Sequence, residues 1–174
     1  AAPEDEVLHL WTGLGYYTRA RNLQKTAKIV VAEYGGEFPR DVEKLVELPG
    51  IGLSTAGAIA SISMGLRAPI LDGNVKRVLA RFTAQEGYPG EPKVAKQLWA
   101  AAERFTPQDR VNAYTQAMMD LGATLCTRSK PSCLLCPLQS GCQAHMLGLE
   151  IRYPIAKPRK ALPQKSTVMP ILAN

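Results

Sequence analysis

The segment LPGIGLSTAGAIASISMGLRAPILDGNVK, residues 48–76, restricts the fold more than any other part of this 174-residue chain. Gly50 and Gly52 flank a single apolar residue, so the backbone there can adopt positive φ and approach a ligand closely. Small residues from Leu53 onward predict a tightly packed helix that ends near Gly65. The N–H groups at the start of that helix would face the glycine hairpin, where an anion such as phosphate is favoured.

An ordinary turn between two helices requires the same residues, so the glycine hairpin alone does not identify a function. Asp72 follows it and begins another predicted helix. An aspartate in this position usually serves as an N-cap, and Asn74 next to it suits a turn. Lys76 lies four residues after Asp72, and we expect the two side chains to pair across one helical turn.

Apolar residues recur at helical spacing through most of the chain, and no segment shows a convincing alternation with period two. We therefore predict an all-α fold. Helices are expected at about residues 4–11, 17–34, 42–47, 53–65, 72–82, 92–105 and 109–124.

Composition favours a globular protein that contacts a polyanion. The chain is 46% hydrophobic without an apolar run near 18 residues, so we expect a soluble protein with no membrane span. Residues 1–125 hold 14 basic and 14 acidic residues, whereas residues 126–174 hold 7 basic residues and only Glu150. This bias fits nucleic acid, although a solvated basic tail has the same composition. The segment PIAKPRKALP, residues 154–163, has linker composition.

Four cysteines follow the spacing C-x6-C-x2-C-x5-C, all within 17 residues. Four such thiolates make a sulfur cage that suits either a zinc ion or an iron-sulfur cluster, and the spacing does not decide between them. Nothing resembling a signal peptide precedes them, so we expect an intracellular, reducing compartment and a metal site rather than disulfides. Arg128 and Lys130 lie in the first loop of the cage, where a metal would brace them for contact with phosphate. The cysteines are Cys126, Cys133, Cys136 and Cys142.

A further aromatic and basic motif, GYYTRAR, occupies residues 15–21. Tyr16 is a candidate wedge that enters a base stack, with Arg19 as a cation for nearby phosphates. The alternative is one tyrosine in the core and two arginines on the surface.

Taken together, these motifs resemble the helix-hairpin-helix DNA glycosylases that carry an iron-sulfur cluster, and among them those that remove adenine. The resemblance rests on LPGIGLSTAGAIASISMG, ILDGNVKRV, QAMMDLGATLCTRSKPSCLLCPLQSGC and LWTGLGYYTRARNL, and it extends from Glu6 to about Pro163. It implies the helix-hairpin-helix DNA glycosylase fold with a C-terminal iron-sulfur cluster loop, and a 4Fe-4S cluster on the four cysteines. The implied partner is double-stranded DNA with adenine mispaired with 8-oxoguanine or guanine, bound by a monomer.

The resemblance also implies a division of the chain. Residues 1–84 would form a helical domain with the hairpin, as part of a six-helix barrel. Residues 85–150 would form the iron-sulfur cluster domain, and residues 151–174 a basic linker toward a C-terminal domain.

Cleavage of a purine N-glycosidic bond develops positive charge on the sugar, so a carboxylate is needed near C1′. By resemblance Asp72 is that carboxylate, and we expect Asn74 to orient Asp72 or the attacking water. The expected DNA contacts are Tyr16, Arg19, Gly50, Gly52, Ser54, Thr55, Lys76, Arg128 and Lys130.

Position 54 predicts the subclass. Bifunctional relatives of the endonuclease III type carry a lysine there that forms a Schiff base, whereas this chain has Ser54, so we expect a monofunctional glycosylase. The family's general-acid glutamate would lie upstream of Ala1, and Glu37 matches no such motif, so the chain alone is expected to be weakly active or inactive. Two alternatives stay open: a bifunctional glycosylase and AP lyase of the same fold, and a non-catalytic DNA-binding module with structural zinc.

Overall fold

The computed structural model describes residues 2–158 and 166–167, and within these residues it contains helices and no strand. This confirms the all-α prediction. Most of the predicted linker beyond Pro158 lies outside the described residues. No helix in the described part is both long and apolar enough to span a bilayer. The α-helices are α1 Glu4–Leu10, α2 Thr18–Tyr34, α3 Val42–Glu47, α4 Leu53–Ala58, α5 Gly73–Phe82, α6 Pro92–Phe105, α7 Val111–Asp120 and α8 Gln143–Met146.

Polar caps and glycines set several helix ends where the sequence predicts them. The Asp41 side chain accepts hydrogen bonds from the backbone N–H groups of Glu43 and Lys44, and so begins α3. Gly35 ends α2 in the left-handed conformation, with φ of 65°. The local sequence therefore determines where α2 ends and where α3, the helix before the hairpin, begins.

Two predicted helices are shorter than expected because their last turns are π-helical. After α4 the chain continues as a π turn over Ile59–Ser63, and after α7 as another over Leu121–Leu125. The Cys126 N–H donates to the Leu121 carbonyl, five residues earlier, at 2.7 Å. Hydrophobic spacing does not separate these wider turns from α-helix, so the sequence predicts continuous helices.

The first hydrophobic core holds α2, α3 and α4 together, and it positions the hairpin between α3 and α4. Leu45 is fully buried and Leu48 is 3% exposed, so the segment that leads into the hairpin is anchored in apolar surroundings. The buried members are Val30, Leu45, Leu48, Ala56, Ala60 and Ala68.

The second core surrounds α5, which packs on α6, α7 and α8. The rings of Phe82 and Phe105 meet edge to face at 5.4 Å between centroids. Because α5 is central to this core, the residues at its start and along its polar face have a fixed position. The buried members are Ile70, Leu71, Val75, Val78, Leu79, Ala80, Val94, Leu98, Ala102 and Met118.

The loop before α5 packs directly on α4. A Cβ at Gly57 would lie 2.3 Å from the Pro69 carbonyl oxygen, so only glycine permits this approach. The Leu71 N–H donates to Ser54 Oγ at 3.0 Å. These two contacts connect the hairpin helix to the residue that immediately precedes Asp72.

Replacing Gly57 with alanine should destabilise the protein, because the new methyl group would overlap the Pro69 carbonyl oxygen. We expect a cost of about 1–3 kcal/mol, or a fall in Tm of roughly 3–10 °C in thermal unfolding. Gly73→Ala is the matched control, since a Cβ there meets no atom within 4 Å. Equal Tm values for the two variants would contradict the proposed close contact.

Candidate nucleic-acid interface and cysteine cage

The glycine hairpin is exposed, and α2 supports it from behind. Gly50 has φ of 81°, and a Cβ there would lie 2.9 Å from Cβ of Asn22. Thr26 Oγ1 donates to the Pro49 carbonyl at 2.9 Å. No side chain caps the start of α4 at Gly52, so the first amides of α4 are available to a ligand.

Asp72 is half-buried and caps α5: its Oδ1 accepts the Val75 N–H at 2.8 Å. The ordinary N-cap role is therefore present, while Oδ2 makes no hydrogen bond within residues 2–158. The expected pairing with Lys76 is wrong, since no ion pair joins the two among the described residues. The cap geometry directs the carboxylate toward the Val75 amide instead.

Arg77 links the start of α5 to the first cysteine, and the sequence analysis missed it. Its Nη2 donates to Asn74 Oδ1 at 2.9 Å, and its Nε donates to the Cys126 carbonyl at 2.7 Å. Arg77 also donates to the Gly122 carbonyl. Asn74 thus orients Arg77 through its side-chain oxygen, and its action on Asp72 or on water stays a prediction. The i,i+3 spacing of Asn74 and Arg77 was the available signal.

Next to Arg77, Gly122 allows the π turn that follows α7 to approach α5 closely. A Cβ at Gly122 would lie 2.6 Å from Cβ of Asn74, so a larger residue would separate the two elements.

The four cysteines are free, half-buried and gathered around one cavity of about 30 Å³. Cys126 follows the second π turn, Cys133 begins a short 3₁₀ turn with Cys136 directly after it, and Cys142 precedes α8. Desolvation by burial is the largest cause that raises the pKa of the Cys133 and Cys142 thiols. The sequence prediction that the four sulfurs converge is thus supported by their common cavity.

The spacing of the sulfurs bears on the metal they suit. No three cysteine sulfurs lie within 4.8 Å of one another in the described part of the chain, where only Cys133, His145 and Glu150 form such a group. A tetrahedral zinc site with Zn–S of about 2.3 Å needs sulfurs about 3.8 Å apart. The sulfurs do not form the compact group that one zinc ion requires, and four cysteine thiols are a donor set that an iron-sulfur cluster also uses.

Arg81 fastens the cysteine cage to α5, and the sequence analysis missed it as well. Its side chain is buried, yet it donates to Cys126 Sγ at 3.2 Å and to the Thr127 carbonyl at 2.7 Å. It also donates to the carbonyls of Arg128 at 3.0 Å and Tyr153 at 2.9 Å. A single guanidinium therefore holds both the first cysteine loop and the segment that follows the cage.

The aromatic motif before α2 is on the surface. Tyr16 is 84% exposed with φ of 49°, and Tyr17 is exposed as well, so the alternative of a core tyrosine is wrong. The Arg19 guanidinium lies 5.6 Å from the ring centroids of both Trp11 and Tyr16. Tyr16 is thus presented outward beside a cation.

The remaining predicted contact residues fall into three cavities. Arg19, Gly50 and Thr55 line a cleft of about 390 Å³ at the hairpin. Lys76 and Arg128 line a second groove of about 600 Å³, whereas Lys130 lies in a third cavity of about 620 Å³ beside Cys133. The structure therefore divides the predicted residues among three surfaces, and Tyr16, Gly52 and Ser54 line none of these three cavities.

The hairpin, the capped aspartate and the cysteine cage are the features of a base excision repair protein. The chain belongs to the HhH-GPD superfamily of base excision DNA repair proteins, whose family model matches residues 1–104.

Within that superfamily, the similar curated proteins include adenine DNA glycosylases. The one from Buchnera aphidicola (Acyrthosiphon pisum) is 46% identical over 161 residues, covering 92% of this chain and 46% of that protein. The human one is 48% identical over 145 residues, covering 83% of this chain and 27% of that protein. The chain therefore spans half or less of the length of these relatives.

Solved structures of DNA glycosylases share the fold. A thermostable thymine-DNA glycosylase superposes with a TM-score of 0.74 at 28% identity, covering 84% of this chain and 67% of that one. A non-covalent complex of endonuclease III with DNA superposes with a TM-score of 0.69 at 28% identity, covering 85% and 68% respectively.

Replacing Arg81 with lysine should loosen the cysteine cage, because an ammonium group does not reproduce four divergent hydrogen bonds. We expect a loss of about 3 kcal/mol or more in stability and a lower content of bound metal. Thermal unfolding and metal analysis of the purified protein measure both. Arg104→Lys, in which the exposed Arg104 lies over Phe105, is the control. Wild-type metal content and Tm in the Arg81 variant would contradict this role.

Proposed function

We propose that this chain is the catalytic part of an adenine DNA glycosylase that acts on adenine mispaired with 8-oxoguanine or guanine in double-stranded DNA. The observation that carries the proposal is the position of Asp72. Its Oδ1 is fixed by the Val75 amide, and the preceding Leu71 is hydrogen-bonded to Ser54 at the start of the hairpin helix. The names of the curated relatives supply the base and the reaction.

The proposed reaction needs a flipped nucleotide above this carboxylate. A base inside a duplex is out of reach, so the adenosine must turn out of the stack before the bond is cleaved. As the C1′–N9 bond breaks, its electrons leave with the adenine and positive charge develops on the sugar. Asp72 would stabilise that charge while water attacks C1′ and yields an abasic site. We assign no residue of this chain to protonation of the adenine.

The exposed hairpin and motif before α2 would distort and hold the DNA. The uncapped amides after Gly52 suit a phosphate, and Thr55 and Arg19 border the same cleft. Tyr16 projects from a left-handed backbone position and would enter the stack that the flipped base leaves. Each of these contacts would be made with the DNA backbone or with the face of a base, which fits recognition of a distorted site in the duplex.

We further propose that the enzyme is monofunctional. A bifunctional relative needs an amine at position 54, but here Ser54 accepts a hydrogen bond from the Leu71 N–H. Ser54 thus positions the Asp72 loop and offers no nucleophile for a Schiff base. Lys76, one helical turn after Asp72, is half-buried and could react only adventitiously with the product aldehyde.

We also propose that Cys126, Cys133, Cys136 and Cys142 hold a 4Fe-4S cluster. When bound, the cluster would supply four metal–thiolate bonds that brace the loop carrying Arg128 and Lys130. Both of these cations are exposed, so a braced loop would present them to phosphate. The free cysteines fit the reducing intracellular compartment that repair of DNA requires.

The division of the chain at residues 84 and 150 and the monomeric state remain part of this proposal. The hairpin core around Leu45 and Ala56 supports the first domain, whereas α5 precedes residue 84 but packs in the core of α6 and α7, so this helix is shared between the two proposed domains.

Asp72→Asn should lower the single-turnover rate of adenine release from an A:8-oxoguanine duplex by about 100-fold or more, because the negative charge near C1′ is lost. The assay uses a protein of the relatives' full length that contains this chain. Asparagine caps helices as well as aspartate does, so Tm should stay close to that of the wild type.

Asp41→Asn is the matched control, since Asp41 caps α3 in the same way and should leave the rate unchanged. An unchanged rate in the Asp72 variant would remove the catalytic assignment. Borohydride trapping of a covalent protein–DNA complex, which requires a Schiff base to a protein amine, would instead favour the bifunctional alternative.

The cluster proposal predicts a coloured protein. We expect visible absorbance at about 400 nm and about four irons per chain, which chelation or oxidation of the cluster should abolish. A colourless protein with one zinc per chain would favour the DNA-binding module with structural zinc. Optical spectroscopy and elemental analysis of the same sample decide between the two.

A further inference from the structure

The groove of about 600 Å³ beside the start of α5 holds Lys76 and Arg128, and it also holds two cations with no contact to DNA assigned above, Arg77 and Lys157. One wall is the turn at residues 88–90, and the other is the segment 151–157 that follows the cysteine cage. Gly73, the residue directly after Asp72, also borders it. Its lining contains four cations and no carboxylate: Lys76, Arg77, Arg128 and Lys157.

The wall that carries Lys157 is held firmly against α5. Tyr153 is 3% exposed, its carbonyl accepts from Arg81 Nε at 2.9 Å, and its hydroxyl donates to Glu86. Arg152 pairs with the same Glu86, which lies beyond the end of α5, at 3.0 Å. The groove is therefore a built feature of the fold, and Lys157 extends from an anchored segment.

The positive charge of the groove is not neutralised within the described residues. No ion pair there includes any of the four cations Lys76, Arg77, Arg128 and Lys157. Arg77 donates to uncharged oxygens of Asn74, Gly122 and Cys126, so it keeps its full charge. Like charges gathered in one concave surface repel each other and raise the local concentration of anions.

We propose that this groove binds the phosphates of the DNA strand next to the flipped nucleotide, with Lys157 as a direct phosphate contact. The inference rests on the proposed function, because it places the flipped sugar at Asp72. A strand whose nucleotide is turned out above Asp72 continues past Gly73, and the groove begins there. Consecutive phosphates along a strand match a row of cations better than a single small anion does.

The first experiment compares salt dependence of binding. Fluorescence anisotropy of a labelled duplex at several salt concentrations gives the slope of log K against log salt. Lys157→Gln should reduce that slope by about 1 and weaken binding several-fold at low salt, because one counterion fewer is released. Lys96→Gln is the matched control, since Lys96 is an exposed lysine of α6 outside the groove and should leave the slope unchanged.

The second experiment changes the DNA and compares the wild type with Lys157→Gln. Single phosphates along the strand are replaced by neutral methylphosphonates, and wild-type binding is measured at each position. A methylphosphonate at one position near the flipped adenosine should weaken DNA binding by the wild type but not by Lys157→Gln. The effects of the methylphosphonate and of the substitution would then not be additive. Full additivity at every position, or an unchanged salt slope, overturns the groove assignment.

Neither measurement depends on adenine release. A wild-type protein that binds DNA through Lys157 but releases no adenine would refute the proposed function and leave the groove supported. If the wild type releases adenine and Lys157→Gln leaves the salt slope of binding unchanged, only the assignment of the groove is refuted.

Discussion

The buried guanidinium of Arg81 is the contact on which the arrangement of the C-terminal half depends. Its hydrogen bonds reach the first cysteine sulfur, two carbonyls of the basic loop and the carbonyl of Tyr153. A buried charge is costly unless all its donors are used, so these four bonds favour one geometry over its alternatives. The cage and the segment after it are consequently placed relative to α5, and the wall of the cationic groove formed by residues 151–157 follows from that placement.

Helix α5 connects the proposed chemistry to the metal site. Asp72 stands at its first turn, Arg77 reaches the carbonyl of Cys126, and Arg81 reaches the sulfur of the same cysteine. Arg77 and Arg81 are four residues apart, so both lie on one face of the helix. A displacement of the cysteine loop would therefore be transmitted along a rigid element to the carboxylate, without any contact between the cluster and the nucleotide.

Local signals in the sequence predicted much of this fold, because caps and periodicity are local properties. Asp41 and Asp72 both cap the predicted helices, and the cysteines converge as their spacing indicates. The π turns were missed because their spacing of apolar residues resembles that of an α-helix. Arg81 was missed because its partners are 45 or more residues away in sequence, and the Asp72–Lys76 pair was wrong because the cap competes for the same carboxylate.

The backbone at Tyr16 has a consequence for the evolution of such a chain. A tyrosine with φ of 49° carries a conformational strain of about 1–3 kcal/mol, and its ring, 84% exposed, gains almost no burial in return. Selection for thermal robustness alone would replace it with glycine or asparagine, whose backbones tolerate that conformation. The contact with the base stack that we propose for this ring therefore comes at the expense of stability at position 16.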